Sequence, residues 1–142
     1  MSWTPADTNT HQDHVIAHVI GATPLGHFIW DETAYLLLDI GFIWNIYLDG
    51  EMGLVPQSVT VTELDADDKT KSELRMDIDL LSQAKPGTLA HMTRMDHVGP
   101  IEAVDFFESE EGRQLVLTCE QGNVVIETSL SDRCTRITAD LR

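Results

Sequence analysis

The stretch from Ile101 onward leaves little freedom of architecture. Ile101–Glu108, Arg113–Glu120, Asn123–Leu130 and Arg133–Ala139 are four runs rich in alternating apolar and β-branched residues. Short links containing Glu110-Glu111-Gly112, Gln121-Gly122 and Ser131-Asp132 separate them. Links this short can join only antiparallel neighbours, so the four runs must form a meander. Leu115, Leu117 and Cys119 share one side, and Val124, Ile126, Thr128 and Leu130 another. Both sets should meet a core, leaving Thr118, Glu120, Glu127 and Ser129 outward.

A sheet with one apolar face needs a cover. Asp65 to Gln83 reads as the clearest helix. Acids crowd its start, and Leu74, Ile78 and Leu81 make a stripe at helical spacing before Pro86-Gly87 ends it. A second helix is expected over residues 10–20. Thr10 stands as its N-cap, and Val15, Ile16, Val19 and Ile20 form its apolar side. A strand over Val15–Ile20 is the competing reading. Asp31 to Leu38 reads as a third, short helix ending at Gly41. Phe42–Leu48 is a strand apolar on both faces, turned at Asp49-Gly50 towards Glu51–Val55. Ser58–Leu64 alternates Val with Thr and reads as a half-buried strand. The expected fold is α+β: an antiparallel sheet with a C-terminal four-strand meander, packed on one to three helices. With 142 residues the chain suits a single domain, residues 1–9 being a loose lead-in.

Charge limits the partners. The net charge is −15, and residues 1–68 hold eleven acids and no Lys or Arg. Such a surface repels phosphate backbones and anionic lipids, which argues against nucleic acid and membranes. The most apolar stretch, Phe28–Leu48, is broken by Asp31, Glu32, Asp39 and Asn45, too many interruptions for a membrane span. No positively charged leader segment is seen, and Cys119 and Cys134 show no metal-type spacing. A cytoplasmic protein with two reduced thiols is expected.

Two constellations carry possible chemistry. His11, His14 and His18 fall at i, i+3 and i+7, one stripe of a helix. Neutral imidazoles so spaced can share a divalent transition metal, with His27, Asp7 or Asp31 as a further ligand. A half-buried polar border of the helix is the plainer explanation. Trp30, Tyr35, Trp44, Asn45 and Tyr47 would line an aromatic pocket for a cationic ligand, against the plainer reading that the rings are core. Carboxylate pairs such as Asp77/Asp79 fall at turns or on solvated helix faces and carry little weight. No GxSxG, HExxH or phosphate-loop motif occurs. The reading that follows is a non-enzymatic acidic binding protein, engaging a basic protein surface or a second copy of itself. The alternative is a metal-dependent enzyme or small-molecule binder built on the His cluster and the aromatic pocket.

Overall fold

The computed structural model describes residues 3–95 and 97–141. Along the chain run β1 (Thr4–Pro5), α1 (Thr10–Val19), β2 (Pro24–Trp30), β3 (Thr33–Leu38), β4 (Phe42–Ile46) and β5 (Met52–Pro56). They are followed by α2 (Gln57–Glu63), α3 (Asp68–Ser82), β6 (Thr93–Arg94), β7 (Ile101–Glu108), β8 (Gly112–Cys119), β9 (Gly122–Ser129) and β10 (Cys134–Leu141). The fold is α+β, with three helices and two five-stranded antiparallel sheets among the described residues. One sheet has the order β1-β7-β8-β9-β10 and contains the expected meander; the other has the order β5-β4-β3-β2-β6.

The second sheet separates two cores. Ala34, Leu36, Leu38, Trp44 and Ile46 pack with Leu115, Leu117, Cys119, Val124 and Ile126 of the meander. Val15 and Val19 of α1 close the side of that core. The opposite face presents Phe28, Leu37 and Ile43 to Val61, Leu64, Leu74, Ile78 and Leu81 from α2, α3 and the residue after α2. The meander is thus covered by another sheet, and the long helix lies on that sheet's far side. Among the described residues no helix is long and apolar enough to cross a membrane. Cys119 is buried, Cys134 is exposed, and no disulfide joins them.

Three expectations are corrected. Asp31–Leu38 is no helix: Asp31 (φ 48°) and Glu32 (φ 69°) make a tight turn and Thr33–Leu38 is strand β3. Positive φ at two successive residues is the geometry of a two-residue hairpin turn, here without glycine. The strained Glu32 is held from the meander. Arg133 donates from Nε and Nη2 to its carboxylate (3.0 and 2.6 Å), and the Thr135 hydroxyl donates to its carbonyl at 2.6 Å. Ser58–Leu64 is no strand either, since Gln57–Glu63 is helix α2. Its threonines fit the helix because the Thr60 and Thr62 hydroxyls donate to the Pro56 and Ser58 carbonyls four residues back. Leu130 lies past the end of β9 and is 40% exposed, outside the core.

Candidate functional site

Helix α1 starts one residue earlier than its Thr10 signature implies. Asn9 is the N-cap, accepting from the Gln12 backbone N–H at 2.8 Å, while Gln12 Oε1 accepts from the Asn9 N–H at 3.0 Å. This reciprocal capping box satisfies two donors that a helix start otherwise leaves open. The same residues moor the helix to the β4–β5 hairpin. Gln12 Nε2 donates to the Gly50 carbonyl, Asn9 Nδ2 to Glu51 Oε1 (3.0 Å each), and His11 Nε2 to the Met52 carbonyl at 2.9 Å.

So moored, α1 forms one wall of a cleft of about 360 Å³. His11, His14, Val15 and His18 line it from the helix; Ile40, Phe42 and Leu54 line it from β4, β5 and the turn before β4. Three of the four histidines singled out from sequence therefore meet in one place. His18 Nδ1 donates to the His14 carbonyl at 2.7 Å. Among the described residues no Lys or Arg lines the cleft. Asp13 and Asp39, chain neighbours of His14 and Ile40, and Glu51, which precedes β5, are exposed. Their carboxylates accept from the Thr8 hydroxyl, the Thr23 N–H and Asn9 Nδ2 respectively, none of which lines the cleft. The nonlocal wall was invisible from sequence, because Phe42 and Leu54 read only as strand residues and Ile40 only as the end of an expected helix.

His27 stands apart, in β2 between β3 and β6, with Leu36 and Thr93 as register partners. Strand pairing, rather than proximity to α1 along the chain, decides its place. Among the described residues no group of three or more His, Cys, Asp or Glu is gathered for a metal ion, so the four-histidine set is not assembled. Burial pushes the His27 imidazole below its usual 6.5. The unfolded chain therefore binds a proton at His27 more readily than the native one. Stability from this group is complete above about pH 6.5 and is lost as pH falls towards the folded value. Thermal melts of the protein and of His27→Gln should diverge on acidification below pH 6.5, the variant losing less.

The aromatic set does not form one pocket, because strand alternation divides it between faces. Trp44 is fully buried in the core between the sheets. Trp30 and Tyr35 pack on the other core, where Tyr35 stacks on Phe28 with centroids 4.6 Å apart. Burial, then Tyr47, pushes the Tyr35 phenol above its usual range. Trp30 Nε1 donates to the Asp65 carbonyl at 3.2 Å. Asn45 is buried opposite Tyr35, and Tyr47 is 42% exposed beyond β4. Trp44 Nε1 and Asn45 Oδ1 have no hydrogen-bond partner among the described residues.

Comparison with protein-family models, curated proteins and solved structures finds no match. The functional reading therefore rests on the geometry of these residues.

Proposed function

We propose that this chain is a non-enzymatic binding protein whose α1 cleft takes a cationic, amphipathic segment of a basic protein partner. The observation that carries the reading is a cleft with an apolar floor and, among its described lining residues, no Lys or Arg. It lies within the first 68 residues, which bring eleven acids and no Lys or Arg. Such a field speeds encounter with a positive partner and disfavours a negative one. Among the described residues three arginines of the meander approach this half: Arg136 shares a cavity with Trp3, and the other two are engaged. Arg133 is bound to Glu32, and Arg113 packs beside Gly50 while donating from Nη1 to the Ser109 and Gly112 carbonyls.

A fluorescent helical peptide with one Leu face and one Lys face is the probe. It should bind, weaken about tenfold between roughly 50 and 300 mM salt, and bind far more weakly to Ile40→Lys. Ile40 is 44% exposed, so that variant should keep the melting temperature of the parent. Binding that ignores both salt and Ile40→Lys would sink the reading. A second copy is the other candidate partner, favoured by β10, an eight-residue edge strand with one side unpaired in its sheet. Sedimentation of the protein alone separates the two: a monomer throughout the micromolar range removes the homodimer.

A further inference from the structure

We infer that His14 and His18 form a bidentate site for a borderline divalent transition cation, such as Zn²⁺ or Ni²⁺, on the rim of the α1 cleft. The inference stands independently of the peptide-docking reading. Residues four apart on a helix have Cβ atoms roughly 5–6 Å apart on one face, a spacing from which two imidazoles can close on one metal ion. Both rings line the same cleft.

The hydrogen bonds assign the tautomer. A carbonyl oxygen only accepts, so His18 Nδ1 must carry the proton it gives to the His14 carbonyl at 2.7 Å. The lone pair of the neutral ring is then on Nε2. A metal-binding histidine characteristically gives its other N–H to a carbonyl or carboxylate, which fixes the ring and raises its basicity. His18 thus already has the outer hydrogen bond of a ligand. His11 is held differently: its Nε2 is tied to the Met52 carbonyl of β5 at 2.9 Å, committing that nitrogen to the hairpin. In this assignment the protein supplies two donors, His14 and His18, which line the same cleft. Water or an exogenous ligand completes the coordination. Neutral nitrogen donors select zinc and nickel over magnesium, which prefers oxygen. The surrounding negative field raises the local cation concentration.

The test is calorimetric titration of the whole protein with Zn²⁺, Ni²⁺ and Mg²⁺ at neutral pH, paired with NMR of the imidazole nitrogens. Expected are one zinc or nickel ion per chain and no magnesium binding, with perturbation centred on His14 and on His18 Nε2. His14→Ala and His18→Ala should each weaken binding about tenfold or more, and His91→Ala should leave it unchanged. Both α1 positions are exposed, and circular dichroism with a melt establishes that each variant is folded. No binding, wild-type affinity in folded His18→Ala, or equal dependence on His91 would overturn the assignment.

Discussion

Asp77→Ala is expected to lower the melting temperature on the order of 10–20 °C, corresponding to roughly 3–5 kcal/mol in a domain of this size. Asp77 lies on α3 and is only 2% exposed. Its Oδ1 accepts from the Ala90 N–H at 2.8 Å, and its Oδ2 from the His91 and Met92 N–H groups at 2.8 and 3.0 Å. One carboxylate thereby satisfies three successive backbone donors of the segment that returns from α3 to β6. The alanine leaves those donors without their acceptor and removes a charge-assisted contact each time, which is why the cost exceeds that of an ordinary hydrogen bond. Met92 is buried against Phe28 and Leu81 in the helix-side core, so loosening the segment also loosens packing. Asp77→Asn keeps one acceptor oxygen and should fall between parent and alanine. Hydrogen exchange gives the specific signature, with protection at residues 90–92 lost ahead of the rest of the fold. A shift under about 3 °C for the alanine would remove the clamp from any account of stability.

That clamp also marks where sequence reasoning stops. Asp77 and Asp79 look alike as a carboxylate pair on a polar helix face. Only the return of the chain to residues 90–92 makes Asp77 an interior group. The meander was legible because its links are short and each strand shows the core one side. Strands β3 and β4 were harder. Leu36 and Trp44 face one core while Leu37 and Ile43 face the other, so no alternation marks them. With alternation erased, Ala34 to Leu38 looks like a helix. The reverse happened at Ser58–Leu64, where β-branched residues suggested a strand. There Thr60 and Val61 bury one side of a short helix, and the threonine hydroxyls return to the backbone. The candidate site was half legible. The spacing of His11, His14 and His18 places them on one helical stripe, but the facing wall comes from residues 40–54 through tertiary packing. His27, near α1 in sequence, is carried away by strand pairing.

Gly112→Ala and Gly122→Ala should each cost about 3 kcal/mol or more, at the upper end of overpacking effects. Gly112 begins β8 and Gly122 begins β9, and both are buried. Neither has positive φ, so the requirement for glycine is one of space rather than of backbone conformation. A Cβ at Gly112 would stand 2.2 Å from the Thr128 carbonyl oxygen, and one at Gly122 would stand 2.5 Å from that of Asp140. Both obstacles are backbone of the neighbouring strand, so no side-chain rotation relieves them. The ladder itself must open. Gly21→Ala provides the contrast: its φ is 88° but nothing lies within 4 Å of the added carbon, leaving only the left-handed backbone penalty. That penalty is about 1–2 kcal/mol. Gly112 pairs with Ser129 and Gly122 with Cys119, so the two glycines sit at opposite ends of the β8–β9 ladder. At about 3.4 Å per residue they are roughly 20 Å or more apart. Their effects should therefore add in the double variant, as measured by urea unfolding with an unchanged m-value. Strong non-additivity would mean that one opening already releases the whole ladder, and a cost near that of Gly21→Ala would mean the strands yield without loss. Either result would contradict a meander in which each of these two glycines relieves a separate close approach to the neighbouring strand.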